Sequence, residues 1–256
     1  VTGPRLGYDI TGDEHADPLV MLGSIGTTRE MWAPQLPALA ERFRVVRVDH
    51  RGHGASWAPP GPYTIADLAG DVLELLDSLS LARVRYCGLS LGGMVGMWLA
   101  AHAPDRIHRL ALLCTSAALE VDGGWENRAA TVRAEGMVAM LGAAPARWFT
   151  ADFRRRRPDA VRRVVGMLAA TPAEGYAACC EAIGGMDLRA DLAGITAPTL
   201  VIAGTDDPAT PPEHLAEIAR RVPGARLEVI DRAAHLANVE HPETVNRLLL
   251  EHFTEE

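Results

Sequence analysis

The chain has 256 residues, and 48% of them are hydrophobic, enough for a sizeable core without disulfide or metal staples. The formal net charge of −8 disfavours nucleic acid or an anionic membrane surface as a partner. Every basic residue is arginine, a bias of composition rather than a mechanism.

Short β-rich apolar runs alternate with helical patterns along the chain. Strands are expected at residues 18–22, 45–49, 83–87, 110–114, 199–203 and 226–230. Helices are expected at 65–79, 91–102, 212–221 and 242–253. Strands that alternate with helices predict an α/β fold, a mostly parallel sheet with helices on both faces. The chain opens at Val1 rather than methionine, so a first edge strand is expected to be missing or shortened.

The alternation stops between about residues 117 and 196, where the pattern reads as helices at 125–140, 158–170 and 173–183 with no clear strand. Residues 1–116 and 197–256 are therefore expected to form the core, and 117–196 a helical cap. The insertion leaves the end of a central strand, where ligands bind in such sheets. Four cysteines, Cys87, Cys114, Cys179 and Cys180, form no C-x-x-C pair and are expected to be small buried side chains. No apolar run approaches the roughly 18 residues of a membrane span, and no secretory signal opens the chain. A reducing cytoplasm is the expected compartment.

Gly88-Leu89-Ser90-Leu91-Gly92-Gly93 fits G-x-S-x-G, with a strand running into it and an apolar helix running out. That setting lifts a serine hydroxyl to the carboxyl edge of a sheet and makes Ser90 the candidate nucleophile. A serine hydroxyl needs a base within hydrogen-bond reach. His235 follows the last strand and precedes the last helix, at the same sheet edge. His50 and His53 sit in a turn after an earlier strand, where a histidine braces a loop. After the strand at 199–203 come Asp206 and Asp207, of which only one can point at an imidazole. The expected oxyanion donors are the backbone N–H of Leu91 and that of Ile25, in the loop Gly23-Ser24-Ile25-Gly26.

These segments, with Asp49-His50-Arg51-Gly52-His53-Gly54-Ala55-Ser56, resemble α/β hydrolases, and the wording is most similar to 3-oxoadipate enol-lactonase. Arg147-Trp148-Phe149-Thr150 and Gly175-Tyr176-Ala177-Ala178-Cys179-Cys180 resemble that family's cap. The resemblance implies the α/β-hydrolase fold and, through the register Gly204-Thr205-Asp206-Asp207, Asp207 as the acid of the triad. It implies a serine hydrolase that opens a small enol lactone bearing an acetate arm. No metal or organic cofactor is implied, and the partner is a small-molecule lactone or ester. The acetate carboxylate calls for a cation in an apolar pocket. Arg128 and Arg133 are the candidates, with Arg147 behind them; each could equally be a solvated helix arginine. Trp148 and Trp32 could wall the pocket or lie in the core. A carboxylesterase, a cofactor-free perhydrolase and a non-enzymatic ligand receptor share the same motifs.

Overall fold

The computed structural model describes residues 5–119 and 124–255. Among the described residues, seven strands form one sheet: β1 (Tyr8–Thr11), β2 (Pro18–Leu22), β3 (Arg44–Val48), β4 (Val84–Leu89), β5 (Ile107–Leu113), β6 (Thr199–Gly204) and β7 (Arg226–Ile230). Their order is β1-β3-β2-β4-β5-β6-β7; β1 pairs antiparallel with β3, and the other five pairs of these strands are parallel. The first edge strand is present, four residues long, although no run of the sequence announced it. β4 continues through Gly88 and Leu89, which pair with Leu112 and Leu113. β5 starts at Ile107, three residues before the expected position, because Ile107-His108-Arg109 alternates and joins the ladder.

The outer helices are α1 (Leu36–Leu39), α2 (Ile65–Ser78), α3 (Leu91–His102), α10 (Pro212–Arg221), α11 (Ala237–Glu240) and α12 (Pro242–Thr254). α2 starts where expected because Thr64 and Asp67 form a reciprocal capping box. α3 is buried along most of its length, as befits a helix apolar on all sides. It packs on β4 and β5 and carries the central strand's exit into the core.

Between β5 and β6 lie α4 (Gly124–Glu135), α5 (Val138–Leu141), α6 (Ala144–Trp148), α7 (Ala151–Arg156), α8 (Pro158–Ala170) and α9 (Ala173–Gly184). The single helix expected at 125–140 is two helices, because Gly136 adopts φ +76° between α4 and α5. Pro145 and Pro158 start α6 and α8, and the Thr150 hydroxyl caps α7. α4 packs against α9. Among the described residues, no helix is long and apolar enough to cross a membrane. All four cysteines are buried and unpaired.

Candidate active site

Ser90 stands between β4 and α3 with φ +56° and ψ −116°, a conformation that costs a non-glycine residue about 1–3 kcal/mol. The surroundings enforce it. Ser90 N–H donates to the Leu113 carbonyl at 2.9 Å, and the Thr115 hydroxyl donates to the Ser90 carbonyl at 2.7 Å. A Cβ on Gly88 would lie 2.2 Å from the Gly92 oxygen, and one on Gly92 2.3 Å from the Leu22 oxygen. Only glycine lets the turn close on itself and on β2.

His235 follows β7. Its Nδ1 lies 2.8 Å from Asp207 Oδ2. Asp207 follows β6 and also accepts from the Thr210 hydroxyl at 2.7 Å and from the Ala209 and Thr210 amides. Burial pushes the Asp207 carboxyl up, but His235 and the Thr210 hydrogen bonds outweigh it, and the group stays below the usual carboxylate value. The neighbouring Asp206 is exposed and bonds Thr205 instead. Ser90 and His235 line one cavity of about 360 Å³, while Asp207 lies behind the imidazole. Among the described residues, the Ser90 hydroxyl has no hydrogen-bond partner and is free to meet a ligand.

The loop after β2 also lines the cavity, through Ser24 and Ile25. The Ser24 amide donates to Met31 Sδ and the Gly26 amide to His53 Nε2. Gly92 N–H donates to the Gly23 carbonyl at 3.0 Å, which binds this loop to the start of α3. Among the described residues, the amides of Ile25 and Leu91 have no acceptor within the protein.

The roof of the cavity comes from the helices between β5 and β6, including Trp125, Arg128, Met140, Arg147, Trp148 and Tyr176. Arg133 is elsewhere: it bonds Glu174 and Glu181 on α9 and does not line the cavity. Arg147, expected only behind the other two, takes its place on the wall. Trp148 lines the cavity, whereas Trp32 is fully buried in the core. Arg128 stacks on Trp125, with Cζ 4.4 Å from the ring centroid. Burial, and then repulsion from Arg128, lowers the Arg147 pKa from its usual value. Among the described residues, neither Arg128 nor Arg147 has a carboxylate partner.

Residue Trp148 also fastens the roof to the histidine loop, because its carbonyl accepts from Leu236 N–H at 3.0 Å. Glu240 bridges the same two segments, accepting from the Thr150 amide and hydroxyl with one oxygen and from the Ala234 amide with the other. Among the described residues, no cluster of three or more His, Cys, Asp or Glu side chains is placed to hold a metal ion.

Three further histidines are buried away from the cavity. Burial lowers His50, His53 and His252 to a pKa of about 4. Unfolded, each takes up a proton near 6.5; folded, only near 4. Between these values the unfolded chain binds more protons at these sites, so the contribution of the three histidines to stability falls as pH drops from 6.5 to 4 and levels off below. Each histidine contributes on the order of 3 kcal/mol to that loss. Urea unfolding followed from pH 8 to pH 4 should show a midpoint that is steady above 7 and falls below 6.5. A flat midpoint across that range would contradict the assignment of neutral buried imidazoles.

A family model described as the alpha/beta hydrolase fold matches residues 17–242. The chain belongs to the α/β-hydrolase family and is a hydrolytic enzyme of that class. It is 38% identical over 241 residues to 3-oxoadipate enol-lactonase 2 of Acinetobacter baylyi, covering 94% of this chain and 90% of that one. Among solved structures, the enol-lactonase from Burkholderia xenovorans is similar at TM-score 0.95 and 45% identity, over 98% and 96% of the two chains. A thermophilic esterase from Thermogutta terrifontis, solved with malate bound, is similar at TM-score 0.91 and 31% identity, over 96% and 92%.

Proposed function

We propose that the protein opens 3-oxoadipate enol-lactone to 3-oxoadipate through an acyl-enzyme on Ser90, a step of the β-ketoadipate pathway of aromatic catabolism. The observation that carries this reading is a pair of arginines, Arg128 and Arg147, without carboxylate partners among the described residues, in one cavity with Ser90 and His235. Such a cavity suits a small ester whose remote end is an anion. The likeness to two enol-lactonases and the malate held by the Thermogutta esterase support it.

In the proposed sequence, His235 Nε2 takes the Ser90 proton as Oγ attacks the lactone carbonyl. Asp207 holds the Nδ1–H and stabilises the imidazolium. The Ile25 and Leu91 amides receive the oxyanion. Collapse of the tetrahedral intermediate breaks the ring C–O bond. The departing enolate takes the proton from His235 and becomes a ketone. Water then gives a proton to His235 and attacks the acyl carbon; the bond to Ser90 Oγ breaks, Oγ takes the proton back from His235, and the acid is released. Residues 117–196 act as a cap that places the anion over the serine. The partner is a small-molecule lactone, and the compartment proposed is the cytoplasm, consistent with four unpaired cysteines.

The test compares lactone generated in situ with a neutral p-nitrophenyl ester. The expected result is a kcat/KM at least about 100-fold higher for the lactone, which is what a charge contact of about 2–3 kcal/mol supplies. The reverse preference would keep the serine mechanism and replace the lactone with another ester. Turnover of neither would sink both.

A further inference from the structure

Two buried histidines outside the triad have no part in the proton route above. His50 and His53 are 3% and 0% exposed, and both come from the turn after β3. Each meets one end of the loop Gly23–Gly26. His50 Nε2 lies 2.8 Å from the Gly23 carbonyl, and His53 Nε2 lies 2.8 Å from the Gly26 amide nitrogen. The backbone partners dictate the tautomers. A carbonyl only accepts, so His50 Nε2 carries its hydrogen. An amide only donates, so His53 Nε2 is bare and its Nδ1–H points to the Arg51 carbonyl at 3.2 Å. Two histidines three residues apart are thus held in opposite tautomers, and both are neutral because burial opposes charge.

We propose that His50 and His53 are positioning residues that pin the two ends of the Gly23–Gly26 loop and so aim the Ile25 amide at the developing oxyanion. The proposal rests on the reading of Ile25 as an oxyanion donor. Three features of the loop favour it. Gly26 holds φ +76°, a conformation that the His53 bond fixes just after Ile25. The Gly23 carbonyl takes both the His50 hydrogen and the Gly92 amide, so one atom sets the loop against the nucleophile's own helix. The amide between these anchors is left for a ligand. Asp49 in turn fixes the histidine turn, accepting from the Arg29 amide and guanidinium and from the Ala55 amide. A preorganised donor loses its advantage when its loop can swing, because the transition state must then order it.

The test pairs His53→Gln with His53→Asn. The glutamine oxygen reaches about where Nε2 stands and can accept from Gly26. The asparagine oxygen falls near the Nδ1 position and cannot. Both are polar and of similar bulk, so a general packing role predicts similar behaviour. Steady-state hydrolysis of p-nitrophenyl acetate reads the serine and oxyanion steps without the arginines. The expected result is a kcat about 10- to 100-fold below wild type for His53→Asn, with KM within twofold. His53→Gln should recover to within about threefold of wild type. Equal kcat values for the two variants would overturn the proposal, provided that Ser90→Ala is inactive. If Ser90→Ala turns the ester over as wild type does, or if wild type turns over neither ester nor lactone, the underlying serine reading fails and the proposal fails with it. A variant that does not fold at 25 °C is replaced by the same comparison at His50, where His50→Gln can donate to Gly23 and His50→Leu cannot.

Discussion

Replacing Ser90 with alanine is expected to lower kcat for lactone opening by about 10⁴-fold or more and to leave the fold intact. The reason lies in how the residue is held. Its conformation is set by backbone bonds to Leu113 and Thr115 and by the glycines around it, none of which involves the hydroxyl. Alanine has the same Cβ and meets the same φ of +56° at no added steric cost. Loss of Oγ therefore removes the attacking atom and nothing structural. What remains is the loop amides and the cavity, which orient a lactone toward water without a covalent route. Progress curves on lactone generated in situ would measure the loss, with a melting curve beside them. A variant within tenfold of wild-type kcat, melting normally, would refute the nucleophile assignment.

The elbow was legible because its signal is local. Strand, small residues and helix follow one another within a dozen positions, and each has one workable geometry. The order of Ser90, Asp207 and His235 was legible for a related reason: each follows a strand, and parallel strands bring their carboxyl ends to one edge. The choice between Asp206 and Asp207 needed more. Both follow β6, and the turn through Pro208 and Thr210 decides which carboxylate faces inward. The roof was the least legible part. Arg128 and Arg133 sit five residues apart on α4, so they point about 140° away from each other. Helical geometry alone allows at most one of them in the cavity. The acids Glu174 and Glu181, seven apart on α9 and so on one face, were the signal that Arg133 has partners. β1 escaped because Tyr8-Asp9-Ile10-Thr11 is a half-exposed edge with no apolar run to mark it.

Substitution of Arg147 by methionine should separate recognition from chemistry. Methionine keeps much of the length and apolar bulk of the stem but removes the charge. For the carboxylate-bearing lactone, kcat/KM is expected to fall by about 30-fold or more, since removing one partner from a desolvated charge pair costs about 2 kcal/mol or more. Hydrolysis of a neutral p-nitrophenyl ester should stay within about threefold, because Ser90, His235 and the loop amides are untouched. Stability should move the other way. Without ligand, Arg147 is half-buried beside Arg128 with no carboxylate among the described residues, and both burial and that repulsion oppose its charge. Arg147→Met removes this cost, so its melting temperature should equal or exceed that of wild type. A site kept at a cost to the empty protein is the mark of a ligand that offsets it. Adipate, a dianion of similar length to the product, should raise the melting temperature of wild type and do so far less in Arg147→Met. The same changes at Arg133, whose charge Glu174 and Glu181 already balance, should leave the lactone-to-ester ratio unaltered. If Arg147→Met lowers both substrates equally, or melts well below wild type, the arginine supports the roof and the anion is held elsewhere.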